Sequence, residues 1–293
     1  VEAAEEGERV MMGELRSHIE RKIAEAELFR YPFPHLIIDD FFPSEVYRNI
    51  LEKNPFRSNS GVEWFTKAKS PRKTHTPYWT RKQINFHTDQ EWVGDAEQRE
   101  FWSGIKDCFL ADHWFEQIVL GKYKEYFVLR FGELVEAENF FGFFRKELFL
   151  QRHEPGYYIG PHTDVPTRIF TCIFSFADRE GFEEYGTELC VHKNPLIRCW
   201  GNNHYPPDDF TVKKIAPYKP NNFLLFFKTR QSFHSVKAID ETVPNERYGM
   251  QFQLYETRNG VFLDLSEPDL LAPGLDGPTV KAKLRQLWSI VKG

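Results

Sequence analysis

The chain has 293 residues, 38 Lys and Arg against 43 Asp and Glu, a net charge of −5, and 28 Phe against 18 Gly. With 41% hydrophobic content this supports a large core and excludes a disordered chain, while the longest apolar run, residues 223–227, is far short of the roughly 20 residues of a membrane-spanning helix. Mild acidity argues against nucleic acid as a partner, because phosphate binding requires a basic face.

The acidic start (Glu2, Glu5, Glu6, Glu8) lacks an apolar h-region, so no secretory signal is expected. Met11, Leu15, Ile19 and Ile23 recur every fourth residue and predict a helix ending near Phe29. Tyr31, Pro32, Phe33 and Pro34 break it, residues 35–38 read as a short strand, and Pro43 opens a second helix carrying Val46, Ile50 and Leu51. Residues 54–86 look irregular and basic, either a surface loop or a loop covering a substrate. Helical periodicity returns over 95–127.

Beyond about residue 128 the texture changes to short β-rich runs between turn residues. Strands are expected over 127–131, 145–153, 169–176, 187–192, 210–215, 223–227, 233–239 and 247–255. About eight strands without a helix between them suggest a sandwich, barrel or jelly roll. A last helix follows Pro278, with Val280, Leu284, Leu287 and Ile290 on one face. No linker is evident. One domain over 1–293 is expected: a mainly helical buttress (1–127), a β core (128–256) and a C-terminal loop and helix (257–293). Cys108, Cys172, Cys190 and Cys199 form no CxxC pair. They predict neither structural zinc nor disulfides, but thiols packed as small hydrophobes in a reducing cytoplasm.

Histidine and aspartate two residues apart in a strand share a face, and so supply two metal ligands. A third ligand from a neighbouring strand completes a 2-His-1-carboxylate triad, which leaves positions open on a non-haem Fe(II). The spacing occurs twice, at His87–Asp89 and His162–Asp164. The second copy lies in the β-rich half, with His234 seventy residues beyond Asp164 and Arg247 thirteen further on. The first copy is followed by a helical stretch, with no sheet to gather ligands, so His87 reads as a surface or loop residue. His153, His192 and His204 read as hydrogen-bonded loop or strand residues.

Residues 145–256 resemble the iron and 2-oxoglutarate dependent dioxygenases, in the broad prolyl-hydroxylase-like branch. The resemblance covers Gly156, His162, Asp164, Gly186 to Leu189 (Gly-Thr-Glu-Leu where that family has Gly-Gly-x-Leu), residues 221–227 (Asn for the family's Gly), His234 and Arg247. The strand and helix within residues 32–54 also resemble what precedes the core in this branch. The resemblance implies a mainly β fold with flanking helices (α+β) and a double-stranded β-helix core, jelly-roll or cupin-like. It implies Fe(II) held by His162, Asp164 and His234, O2 and 2-oxoglutarate as co-substrates, and ascorbate as a candidate reductant. Arg247 would grip the distal carboxylate of 2-oxoglutarate through its planar fork. The Ser or Thr that many relatives place near this Arg is missing, and Tyr158 and Thr171 are the candidate second donors. The retained carboxylate Asp164 favours hydroxylation, desaturation or cyclisation over halogenation. Hydroxylation of a small polar molecule, with succinate and CO2 as co-products, is the expected reaction.

Arg168 is expected to contact the substrate, its alanine variant raising KM alone, and Trp200 and Tyr205 are expected to form an aromatic wall. The phenylalanine surplus is expected to make a dry barrel around the metal. Two rivals stay open: a protein side-chain hydroxylase, and a non-catalytic cupin-like metal-binding module, since one fold hosts many functions. An AlkB-type demethylase is disfavoured by Gln253, where that group has a second Arg.

Overall fold

The computed structural model describes residues 2–57, 80–87, 95–201, 203–238 and 246–257. Among these residues ten strands form two antiparallel sheets: β1 (His35–Ile38), β2 (Arg81–Asn85), β3 (Phe144–His153), β4 (Ile159–His162), β5 (Arg168–Phe176), β6 (Thr187–His192), β7 (Phe210–Ala216), β8 (Pro220–Phe227), β9 (His234–Val236) and β10 (Arg247–Glu256). The larger sheet runs β1-β8-β5-β10-β3-β2 and the smaller β4-β9-β6-β7. From β3 onward the chain winds back and forth between the sheets, a jelly-roll, double-stranded β-helix core. Two strands of the N-terminal third extend this core: β1 pairs with β8 at one edge, and β2 with β3 at the other. β2 lies within the stretch expected to be irregular, and its alternation is legible only once β3 is beside it.

The described residues form five α-helices, α1 (Glu2–Glu25), α2 (Ser44–Glu52), α3 (Ala96–Leu110), α4 (Trp114–Lys122) and α5 (Lys124–Phe131); α2 to α5 pack on the larger sheet and α1 packs on α3 and α4. Leu15, Ile19 and Ile23 of α1 are fully buried, as their spacing requires. Asp95 caps α3: its side chain accepts from the Gln98 backbone N–H at 2.8 Å while the Gln98 side chain accepts from the Asp95 N–H at 3.2 Å. Residues 127–131, expected as a strand, are the end of α5. Its buried positions, Tyr126, Phe127, Arg130 and Phe131, follow a helical period that the β-rich composition hides. The strand expected at 233–239 is confined to His234–Val236, and the helix expected after Pro278 lies outside the described residues.

Most of the phenylalanine surplus sits between helices and sheet, with only a few rings inside the barrel. Phe170, Phe174, Phe252, Leu148 and Leu254 point outward into the main hydrophobic cluster. There Phe109 meets Phe174 edge-on at 5.5 Å, Phe115 meets Phe252 at 5.1 Å, and Phe127 meets Phe227 at 5.4 Å. Each such burial contributes about 1.5–3 kcal/mol. A buried ion pair, Arg130–Glu256 at 2.6 Å, joins α5 to β10. Between the sheets, Phe33, Leu189, Ala216, Leu224 and Phe226 fill one part of the interior. The rest of the interior is a cavity of about 480 Å³. All four cysteines are free and buried, and no helix among the described residues is long and apolar enough to cross a membrane.

Two motif positions have backbone reasons. Asn221 has φ of 54°, a left-handed conformation open to Asn and Gly, and its amide brackets Phe42, accepting from the N–H at 2.9 Å and donating to the carbonyl at 2.8 Å. Gly186 packs against β7 so closely that an added Cβ would fall on the Ala216 carbonyl. Gly186→Ala is therefore expected to destabilise the protein by about 2–3 kcal/mol, read as a lower urea midpoint at unchanged m-value. An unchanged midpoint would mean that the chain yields there freely.

Candidate metal and co-substrate site

β4 and β9 are antiparallel neighbours in the smaller sheet, and their register makes His162 and His234 direct cross-strand partners. Asp164 lies two residues beyond the end of β4. The structure brings the three side chains together, with one ligand atom from each within 4.8 Å of the others. Each imidazole is oriented by a carbonyl: His162 Nδ1 lies 2.9 Å from the Gly160 oxygen and His234 Nδ1 lies 3.0 Å from the Ser232 oxygen. These contacts put the proton on Nδ1 and leave the Nε2 lone pair as the ligand, the outer-shell arrangement typical of metal-bound histidine.

Electrostatics keep the three groups in ligand form. Burial, then the neighbouring His234 and His204, hold His162 well below the ordinary imidazole value of 6.5. Burial lowers His234 as well, against the opposing pull of Asp164. Burial alone would raise Asp164, but Arg168, the two histidines and the Thr171 hydroxyl outweigh it and hold the carboxyl well below its usual range. Two neutral imidazoles and one carboxylate, converging from three chain positions, fit a divalent transition metal with open positions.

Arg247 opens β10 on the same cavity and is buried. Its guanidinium donates to the Tyr185 carbonyl and, at 3.0 Å, to His153 Nδ1. His153, its cross-strand partner on β3, is held well below the usual imidazole value by burial, then by Arg247 and Arg81. It is therefore neutral, with its proton on Nε2, which is buried with no hydrogen-bond partner. Among the described residues no carboxylate pairs with Arg247, and its Nε is also without a partner. A buried cation lacking a counter-charge is costly by itself. It fits the distal carboxylate of a bound dicarboxylate. Tyr218 lines the cavity too, and its hydroxyl accepts from the Tyr248 N–H at 2.9 Å, which leaves the hydroxyl proton to donate.

The other expected site residues sit differently. Thr171 donates to Asp164 Oδ2 at 2.6 Å, so its hydroxyl is turned to the candidate metal ligand. Tyr158 does not line the cavity, whereas its neighbour Tyr157, in the turn between β3 and β4, does. Arg168 lines the cavity but donates to Thr171 Oγ1 at 2.8 Å and to the Tyr255 hydroxyl at 2.5 Å, and lies 3.7 Å from Asp164 Oδ1. These contacts turn its guanidinium to the Asp164 carboxylate. Arg168→Ala is thus expected to weaken metal binding by about 10-fold or more as well as to raise KM; a change in KM alone, with the metal titration unmoved, would return it to the substrate. Trp200 is half-exposed beneath the Arg230 guanidinium, 4.6 Å from its ring. Tyr205 packs on Phe210 and Phe233, away from the cavity. In the same segment His204 bridges to β4, and its ring stacks on His162 at 4.6 Å. His204 and His153 both line the cavity and were legible only as isolated histidines, because the signal is cross-strand register.

No family model matches this sequence, and no curated protein matches it. Among solved structures, the fold is similar to a Pseudomonas putida prolyl-4-hydroxylase, over 82% of this chain and 99% of that one, at 11% identity and a TM-score of 0.44. It is similar to HygX from Streptomyces hygroscopicus, solved with nickel, 2-oxoglutarate and hygromycin B, over 76% of this chain and 83% of that one, at 8% identity and a TM-score of 0.41. It is also similar to a protein from Caulobacter crescentus assigned to the 2OG-Fe(II) oxygenase family, over 98% and 96%, at 13% identity and a TM-score of 0.43. These likenesses are distant.

Proposed function

We propose that the protein is an Fe(II)- and 2-oxoglutarate-dependent oxygenase that hydroxylates a C–H bond of a small polar molecule. The observation that carries this reading is the meeting, in one cavity, of a His-Asp-His triad and a buried arginine without a carboxylate partner among the described residues. His162, Asp164 and His234 would hold the iron, and Arg247, with the Tyr218 hydroxyl, would hold the co-substrate's distal carboxylate. Iron and 2-oxoglutarate, once bound there, would supply the oxidising power for the C–H bond, with O2 as oxidant and succinate and CO2 as co-products. The protein's part is positional. The Gly160 and Ser232 carbonyls fix both imidazole tautomers, Thr171 and Arg168 fix the carboxylate, and neutral His153 fixes the guanidinium.

The test pairs binding with turnover. Calorimetry should show 2-oxoglutarate binding that depends on the metal, and Fe(II)-loaded protein should form succinate above the no-enzyme rate. Metal binding with neither 2-oxoglutarate binding nor succinate would instead support the non-catalytic cupin-like reading.

A further inference from the structure

The inner face of the larger sheet is polar in a way that neither metal nor co-substrate requires. Register sets its residues in rows, because directly opposed residues of antiparallel strands share a face. Gln83 of β2 faces Gln151 of β3, which faces Gly249 of β10. Gln251 faces Phe149, and Gln253 faces Glu147. The four glutamines, from three adjacent strands, all line the cavity.

Their hydrogen-bonding capacity is only partly used. Gln151 Nε2 donates to Gln251 Oε1 at 3.1 Å, and the Tyr255 hydroxyl donates to Gln253 Oε1 at 2.5 Å. The Gln253 and Gln251 amide N–H groups, the Gln151 oxygen and the whole Gln83 amide have no other side-chain partner among the described residues. Each amide offers one acceptor and two donors. An apolar ligand would strip water from these groups and return nothing, which disfavours lipid-like substrates. Of the charges beside them, Glu147 accepts from Arg145, Arg168 is held by Asp164, Thr171 and Tyr255, and Arg247 is taken by the co-substrate on the proposed reading. Phe149 stands among the amides, opposite Gln251, and presents an apolar surface beside their donors and acceptors.

Resting on the oxygenase reading of the same cavity, we infer that this amide row is the subsite for a neutral polyhydroxylated ring, a sugar or cyclitol. A hydroxyl is donor and acceptor at once and so matches an amide in either sense, while the C–H face of such a ring suits an aromatic side chain. The cavity, at about 480 Å³, has the size of a small-molecule site.

The experiment is ligand-observed saturation-transfer NMR and calorimetry on the full chain, with and without Zn(II) and 2-oxoglutarate. The probes are myo-inositol, methyl glucoside and sucrose, against decanoate and a neutral tetrapeptide. Binding of at least one hydroxylated probe is expected, weakened about 3–10-fold by each of Gln151→Leu and Gln253→Leu, with the Kd of 2-oxoglutarate unchanged. Gln83→Ala, on the edge strand, is the variant least able to disturb folding and should weaken the same probe. Failure of all three hydroxylated probes, preference for decanoate or the tetrapeptide, or hydroxylated probes indifferent to all three substitutions overturns the inference. Loss of 2-oxoglutarate binding alone, with probe binding still sensitive to the glutamines, would overturn the oxygenase reading and leave this one standing.

Discussion

Alanine at His162, Asp164 or His234 is expected to abolish iron-dependent turnover and to weaken metal binding by more than about 100-fold, since removing a mere outer-shell partner already costs about 10–100-fold. The three positions should behave alike because each supplies one of three ligand atoms within 4.8 Å, and two remaining ligands leave the metal exchangeable. Thr171→Val should fall between these variants and the wild type, because it removes only the 2.6 Å hydrogen bond to Asp164. The pH profile adds a second readout. A proton competes with the metal only below a ligand's own pKa, and burial holds both imidazoles below 6.5 while Arg168 leads the forces that hold Asp164 low. Metal affinity should therefore stay level as pH falls through 6.5, where an exposed histidine pair would already lose its metal. Dialysis of each variant against a chelator series, followed by metal analysis, gives the numbers. Full metal content in any one of the alanine variants would refute its ligand role.

How much of this was legible in the sequence differs by residue. Most strands of the core were readable because alternation and turn residues are local signals, and β6 falls at its expected bounds, whereas the four-residue β4 was not among the expected strands. The triad was readable because two of its members sit on one short segment and the third opens a strand. The end of α5 was misread because Phe, Tyr and Val favour strands by composition, while the burial that decides the matter comes from the sheet beneath. Arg168 was readable as a cavity residue but not as the support of Asp164, since that depends on Thr171 and Tyr255, three and eighty-seven residues away. The glutamine row is invisible in one dimension: Gln83 and Gln151 become neighbours only when β2 completes the sheet edge. The phenylalanines suggested a dry barrel, yet alternation sends most of them to the helix side, and the cavity keeps Gln, His, Arg and Tyr beside a few apolar residues such as Phe149 and Ile173.

Arg247→Ala should raise the Kd of 2-oxoglutarate by roughly 100-fold or more while leaving the metal titration unchanged. A guanidinium–carboxylate fork is two charge-assisted hydrogen bonds, each contributing about 1.5–3 kcal/mol. Arg247→Lys keeps the charge without the fork and should recover only part of the loss, staying about 10-fold weaker than wild type. Tyr218→Phe removes a single neutral donor and should cost about 3–10-fold. A stability measurement separates this role from a structural one. Arg247 is buried, its Nε has no hydrogen-bond partner, and no carboxylate among the described residues balances its charge. Replacing an uncompensated buried cation with an apolar side chain of similar length removes a desolvation penalty. Arg247→Met should therefore melt no lower than the wild type without 2-oxoglutarate, and lower than it when the co-substrate is saturating, because only the wild type gains from ligand binding. A structural arginine gives the opposite pattern, a variant that melts lower with or without 2-oxoglutarate and binds it normally once folded.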